Sequence, residues 1–341
     1  MKSSCFYSVL TTIQQPTPAV HRLSKTVSQL DGHLIIVGDR KGPTEYPLKG
    51  TELLTLDNQL ELPLTLPRLL PVNHYTRKNT GYLLAISHGA TCLYETDDDN
   101  FPAAGWKLRA RETKARVVSK GPWNNVYRNF TKENIWPRGF PLDQIASSTR
   151  KAPSLGRLQK VVSPIQQCLV NESADVDAIW RLVLDKPFQF DKGPSIALKR
   201  GVWCPFNSQN TWWWPEAYPL LYLPSGCTFR MTDIWRSFVA QRCVWELDGV
   251  LTFHAADAIQ HRNNHNLFRD FQDEIPGYLT NEKIRETLES IPLVSGADSV
   301  GSNLRKCYET LVEKEIFPAT ELKLVDAWLK DLKQLSPQPT Q

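Results

Sequence analysis

Short apolar blocks separated by polar turns fill the first hundred residues, and their lengths and periods define the elements. Phe6 to Thr12 is an apolar run that stops at Gln14, Gln15 and Pro16, as a buried strand does. Val20, Leu23, Val27 and Leu30 then recur at the three- and four-residue spacing of one helix face. His33 to Val37 is again continuous and apolar, and ends at Gly38 and Asp39. Strand, helix, strand opens a parallel sheet with helices on its faces. Ligands of such sheets bind beyond the carboxyl ends of the strands, so Thr11, Thr12 and Asp39 are placed on one rim.

The pattern continues with Leu53, Leu54 and Leu56, a strand leading into a turn of helix, and then Pro63, Pro67 and Pro71 interrupt regular structure. Residues 77 to 89 read as a mostly buried helix through Tyr82, Leu83, Ala85 and Ile86, with Gly89 as its stop. Its first turn carries Arg77, Lys78 and Asn79. Ordinary helices prefer acids there, and cations added to the free N–H groups make an anion site, so these residues are expected near a phosphate. The strand Thr91 to Tyr94 follows and delivers Asp97, Asp98 and Asp99, then Asn100. Adjacent carboxylates repel unless a cation or hydrogen-bond donors lie between them. Alternate acids at a sheet edge can offer hard oxygen ligands to Mg²⁺ or Mn²⁺ and leave room for a diphosphate, the Asp-x-Asp device. A solvated acidic turn is the commoner meaning of such a run taken alone.

The second half is less periodic. Residues 121 to 143 hold aromatics, Asn and Pro without a period and read as a long loop over the active face, with Arg138 inside WPRGFP. Residues 146 to 160 are polar and basic and are expected to be mobile. Ser173 to Leu184 carries a helical stripe of Val176, Ile179, Trp180 and Val183. Trp212, Trp213 and Trp214 cannot all face one core, so at least one is expected to line a groove or interface, and Asn207 to Asn210 offer hydrogen bonds to sugar hydroxyls. Leu220 to Leu223 and Thr228 to Met231 read as short strands. Thr232 then caps a helix from Asp233 to Asp248, closed by Gly249. Val250 to Phe253 is a strand, followed by QHRNNHN with His261 and His265. From Asn281 onward the chain is helical and charged, with apolar faces that can cap the domain or pair with another subunit.

Composition narrows the field. The chain has 341 residues at 41% hydrophobic, enough for a full core, and a net charge of +4 from 40 basic and 36 acidic residues, too balanced for nucleic-acid binding by bulk electrostatics. Seven scattered Cys without a CxxC pair argue against a zinc site or a disulfide framework and fit a reducing compartment. No apolar run reaches the ~18 residues of a membrane span, and MKSSCFYSVLTTIQQ turns polar too early for a secretory signal. A soluble cytoplasmic chain is expected, with peripheral membrane contact left open.

LTTIQQPT, IIVGDRKGP, NHYTRKNTGYLLAISHGA, the DDDN cluster, VWCPFNSQNT and MTDIWRSFVAQRCVWELDGVLTF, with a His shortly after, follow one another across residues 9 to 261. In that order and spacing they resemble the STELLO-like proteins of the GT-A glycosyltransferase fold. A more distant resemblance runs to the reversibly glycosylated polypeptides, or UDP-arabinopyranose mutases, through IIV-Asp, DDD-x-F and Arg-Gly-aromatic-Pro. The resemblance implies an α/β GT-A domain over residues 1 to 275, a mostly parallel twisted sheet between helices; outside the resemblance, a helical extension over 276 to 335 and a disordered tail over 336 to 341 are expected. It implies a metal-dependent transferase that moves a sugar from a nucleotide sugar, UDP-linked, to a hydroxyl of a carbohydrate or glycoconjugate acceptor in polysaccharide or glycoconjugate synthesis. Thr12 and Asp39 would then meet the nucleoside, Asp98 the ribose edge, Arg77, Lys78 and Asn79 the diphosphate, and Arg138 and Asn207 the sugar. Asp97, Asp99 and His261 would hold Mn²⁺ or Mg²⁺, with His265 as the alternate imidazole. Asp233 would be the general base; the mutases have two adjacent acids there, and here the first is Thr232. Two other readings stand beside this one: a mutase or self-glycosylating protein acting through Arg138, and a non-catalytic scaffold that uses its C-terminal helices to bind a second copy or polysaccharide-making partners.

Overall fold

Strand β1, Phe6–Thr11, lies near the centre of the parallel part of the sheet, paired with β2, His33–Val37, on one side and β4, Cys92–Thr96, on the other. The computed structural model describes residues 5 to 150, 154 to 262 and 266 to 335. The expected tail over 336 to 341 and the alternate ligand His265 lie outside them. Strand β3, Thr51–Leu54, pairs parallel to β2 and completes the block β3-β2-β1-β4.

Helix α1, Pro18–Ser28, joins β1 to β2 as expected: Thr17 caps it by accepting from the Val20 amide, and Pro18 takes a first-turn position where no N–H is needed. After it come α2, Leu56–Glu61, α3, Leu66–Leu69, and α4, Lys78–Ser87, which packs on β1 and β2. Gly81 of α4 permits that approach, since a Cβ there would stand 2.4 Å from Val37 Cγ2.

Beyond β4 the sheet becomes mixed. The remaining strands are β5, Asn100–Pro102, β6, Glu112–Val118, β7, Leu158–Val162, β8, Ile165–Glu172, β9, Ser195–Leu198, β10, Asn210–Trp213, and β11, Leu251–Gln260. They complete an 11-stranded sheet in the order β3-β2-β1-β4-β10-β8-β11-β9-β6-β7, with β5 on β11. β10 runs antiparallel to both its neighbours, whereas β8 with β11 and β6 with β9 are parallel. The parallel reading of the first half therefore stops at β4.

Several second-half expectations are corrected. The Trp run is β10, whose two-residue period sends Trp212 and Trp213 to opposite faces of the sheet and into two separate apolar clusters. Trp214 is buried as well, so none of the three lines the cleft described below. Leu220 to Leu223 and Thr228 to Met231 are not strands: Pro215–Leu221 and Phe229–Met231 are 3-10 helices, and Pro219 cannot donate to a ladder. Helix α5, Leu142–Arg150, and β7 occupy much of the stretch expected to be mobile. Helix α6 is only Ala178–Val183, because Asp177 caps it by accepting from the Trp180 amide. Helix α7, Thr232–Val244, follows the second 3-10 turn directly, so Thr232 stands inside the helix instead of capping it.

The C-terminal helices α8, Leu267–Ser290, α9, Val300–Glu313, and α10, Thr320–Leu335, join the main core. Residue 276, expected to open a separate extension, falls within α8. The apolar faces of α9 and α10 pack within the chain: Leu304, Tyr308, Val325 and Trp328 belong to the same apolar cluster as Val9 and Leu83, whereas α8 leaves Phe268 and Leu279 exposed. Asp331 of α10 caps α3, accepting from the Thr65 and Leu66 amides at 2.7 to 3.0 Å. Among the described residues no helix is long and apolar enough to cross a membrane.

Candidate active site

The carboxyl ends of β1, β2 and β4 open on a cleft of about 420 Å³. Thr11, Thr12, Asp39, Asp97, Asp98 and Asp99 line it, as expected from a rim built by parallel strands. The rim is internally bonded. The Thr12 hydroxyl donates to Asp98 Oδ2, and Thr17 Oγ1 donates to the Asp98 carbonyl at 2.5 Å. Asp39 accepts from the amides of Arg40 at 2.7 Å and His74 at 3.0 Å, which draws the loop before α4 onto the end of β2.

The three aspartates point in different directions. Asp97 Oδ1 accepts from the Tyr75 hydroxyl at 3.1 Å and from Lys78 Nζ at 3.3 Å. Both Asp99 oxygens accept from Gln260 Nε2, at 3.0 and 3.1 Å, which ties the β4 corner to the end of β11. Burial raises the Asp97 carboxyl, Lys78 draws it back, and Asp233 and Asp98 push it further up. Burial likewise raises Asp98, against the Thr12 hydrogen bond. The corner therefore carries carboxylates that an added cation would relieve.

The basic start of α4 does not reach the cleft. Arg77 is fully buried and donates to Gln59 Oε1, Pro67 O and Leu70 O, so it ties α2 and α3 to α4 and faces no phosphate. Lys78 lies beneath the corner, on Thr96 O at 2.7 Å and the Tyr75 hydroxyl at 3.0 Å, as a counter-charge to Asp97. Asn79 exchanges two 2.8 Å bonds with the backbone of Leu223. A helix whose first turn is this buried spends its polar groups on the protein's own carbonyls.

His261 is also displaced from its expected place. Its ring packs edge-on against Phe101 at 5.1 Å and lines a shallow depression beside the cleft, with only its amide meeting Asp99 O, at 3.3 Å. Among the described residues no three His, Cys, Asp or Glu side chains converge as a ligand set. The expected triad of Asp97, Asp99 and His261 is thus not assembled, because Lys78, Gln260 and Phe101 each hold one member.

Across the cleft lies an ionic platform. Arg138 is 6% exposed and sits between two carboxylates. Nε and Nη2 donate to Asp175 at 2.9 and 3.0 Å, Nη1 and Nη2 to Asp233 at 2.9 and 3.0 Å, and Nη1 also to Arg230 O. All five guanidinium N–H groups are engaged. Gly139, at φ +85, makes the approach to α7 feasible: a Cβ there would stand 2.4 Å from Ile234 Cγ2. Burial would raise the Asp233 carboxyl, but Arg138, helped by Arg236 and the Ser208 amide, outweighs it and holds the group at about 2. Asn207 does not line the cleft; it donates to Asp175 Oδ2 at 2.7 Å and so positions the platform. A run of polar contacts joins the two halves: Tyr75 OH meets Ser208 Oγ at 2.5 Å and Ser208 Oγ lies 3.2 Å from Asp233 Oδ2, so the two hydroxyl protons are shared among Asp97, the Tyr75–Ser208 contact and Asp233.

Ser208 and Gln209, two of the four residues expected near sugar hydroxyls, line the cleft; Tyr75, Asp175, Arg181, Arg230, Gln260 and Arg262 line it as well and were not singled out from sequence. Tyr75 lies inside NHYTRKN, and Gln260 and Arg262 inside QHR, so their place at the site was legible from those stretches. Asp175 and Arg181 carry no local signal, because only the pairing of β8 beside β11 brings them to the site.

An α/β sheet with a cleft of opposite charges at its parallel strand ends defines the class. Residues 230–339 match the family model of the STELLO glycosyltransferases. Across 95% of its length the chain is 27% identical to two Arabidopsis thaliana proteins, the probable glycosyltransferases STELLO2 and STELLO1. The chain is STELLO-like, and it spans 44% of the length of those relatives. Among solved structures it overlays glucosyl-3-phosphoglycerate synthase from Mycobacterium tuberculosis with phosphoglyceric acid, at TM-score 0.43 and 10% identity, over 81% of this chain and 79% of that one. The same enzyme with Mg²⁺ and UDP gives TM-score 0.40 at 11% identity over the same shares.

Proposed function

We propose that this chain is a GT-A glycosyltransferase that takes a sugar from a nucleotide sugar, UDP-linked, and passes it to an acceptor hydroxyl. The observation that carries the reading is the triple-aspartate end of β4, which lines the same cleft as Thr12 and Asp39 at the ends of the adjoining strands. In this reading Thr12, Asp39 and Lys41 receive the nucleoside and Asp98 the ribose edge. Asp97 and Asp99 supply hard oxygen donors that fit Mg²⁺ or Mn²⁺, with water and diphosphate oxygens in place of an imidazole. When bound, such an ion offsets the charge that builds on the departing diphosphate.

The chain's own residues then have separable tasks. Lys78 keeps Asp97 turned toward the cleft floor, and Gln260 holds Asp99. Asp175 and Asp233 each keep an oxygen, Oδ1, with a single Arg138 bond, and these can accept from sugar hydroxyls. Asp233 is a weak base while its carboxyl is held at about 2, so we assign it to orientation of the sugar rather than to proton removal. Self-glycosylation at Arg138 is disfavoured, since a fully bonded guanidinium offers no nucleophile.

Calorimetry with UDP and Mn²⁺ tests the proposal against the scaffold reading. Binding is expected, with a loss of about tenfold or more in Asp99→Ala and an unchanged melting temperature, as removal of one charged ligand group implies. No heat of UDP binding to the folded wild-type chain would refute the transferase.

A further inference from the structure

Three more cations line the cleft and have no task in the reading above. Arg181 comes from α6, Arg230 from the 3-10 turn before α7, and Arg262 from the residues after β11. One edge of each is fixed: Arg181 to Ala174 O at 2.6 Å, Arg230 to Glu274 at 2.7 to 2.8 Å, and Arg262 to Asp270 at 2.6 Å. Anchoring of this kind pre-orients a guanidinium, so less freedom is lost when its remaining edge meets a ligand. Arg181 is 7% exposed, and among the described residues its Nε has no hydrogen-bond partner. A buried guanidinium N–H left unpaired is costly, and an arriving acceptor oxygen removes the cost.

The three also act on one another. Burial, then the charges of Arg230 and Arg181, pull the Arg262 guanidinium down from its usual value. Burial and, more weakly, Arg230 do the same to Arg181, against the pull of Asp185 and Asp175. Like charges gathered in a partly dry corner are relieved by an anion, and guanidinium forks match the oxygens of phosphate or carboxylate.

The platform separates this corner from the donor's expected seat. Asp233, at one end, is joined through Ser208 and Tyr75 to Asp97, while Asp175, at the other, follows Ala174, whose carbonyl anchors Arg181. A donor sugar lying on the platform would have the acidic corner behind it and the arginines before it. We propose that Arg181, Arg230 and Arg262 bind an anionic group, phosphate or carboxylate, on the acceptor, so the acceptor is a charged molecule and not a neutral glycan end. This rests on the glycosyl-transfer reading and adds the substrate class to it.

The test titrates the wild-type chain, saturated with UDP and Mn²⁺, with inorganic phosphate in one arm and glycolate in the other. At least one anion is expected to bind on top of UDP, and the arm that responds names the group. Arg262→Gln is expected to weaken that binding by about tenfold and to change UDP affinity by less than about twofold, as for a lost charge-assisted bond outside the donor seat. Arg181→Gln carries the same comparison should the first variant fail to fold by circular dichroism. A fall in UDP affinity matching the fall in anion affinity would give the corner to the donor's diphosphate and overturn the proposal. So would the absence of anion binding to a wild-type chain that binds UDP, with the donor reading left standing. Absence of UDP binding would remove both.

Discussion

Helix α7 carries two ion pairs one turn apart, and they serve different ends. Arg236 meets Glu95 of β4 with both ends of its fork, at 2.7 and 2.9 Å, beneath the Trp213 ring and beside Tyr82. Trp213 Nε1 donates to Glu95 Oε1 at 2.8 Å, and the Tyr82 hydroxyl donates to Oε2, so each Glu95 oxygen has two donors. Arg138 and Asp233 make a pair of the same chemistry, but theirs lines the cleft. The closed pair holds α7 to the strand whose next residues are the aspartates; the open pair leaves carboxylate oxygens for a ligand. The two pairs therefore differ in what is left unbonded toward the cleft, and charge alone does not distinguish them.

The largest expected effect falls on the closed pair. Glu95→Ala leaves Arg236 buried without a counter-charge and is expected to cost about 3–5 kcal/mol in urea unfolding. Replacing both residues, Glu95→Leu with Arg236→Met, should recover part of that loss, because two buried charges then disappear together while the Tyr82 hydroxyl and Trp213 Nε1 still lose their acceptor. A double variant as unstable as the single would mean that shape, not charge, holds α7 to β4.

Asp233→Asn should be milder for the fold. Arg138 keeps Asp175, and the amide oxygen still accepts one bond, so about 1–3 kcal/mol is expected. UDP affinity should change less than the rate of sugar transfer, since the platform faces the sugar in the proposed reading. Equal losses in stability for Glu95→Ala and Asp233→Asn would erase the distinction between the two pairs.

The contrast also shows what the chain order could and could not disclose. Elements β1, α1, β2 and α4 were legible because their signals are local: Val20, Leu23 and Val27 on one face of α1, the HLIIV run, Gly89 after α4. The rim of Thr12, Asp39 and Asp97 to Asp99 followed from parallel topology. Arg77 misled because a cation in a first helical turn signals an anion only when that turn is exposed, and here two backbone carbonyls and the Gln59 amide oxygen accept from it. Asp175, Arg181 and Arg230 were hidden because strand pairing between distant segments, β8 beside β11, brings them to the site, and no local spacing encodes it.

The smallest expected effect is a pH dependence in which the two carboxylate groups have opposite signs. Asp233 is depressed to about 2 against an ordinary 3.8, so its pair contributes stability that is complete above 3.8 and lost as pH falls toward 2. Asp97 and Asp98 are raised above 3.8, so they favour the folded state when protonated, and that contribution fades as pH climbs from 3.8 through their folded values. A metal requires the ionised form, so UDP affinity with Mn²⁺ should weaken on acidification from neutral pH before any loss of stability from Asp233 begins. Asp97→Asn should bind more weakly and show a flatter profile between pH 7 and about 4, because one titrating ligand has gone. A wild-type profile that stays level until the Asp233 pair itself breaks would place the ion elsewhere than the β4 corner, since carboxylates with raised affinity for protons must surrender a metal first.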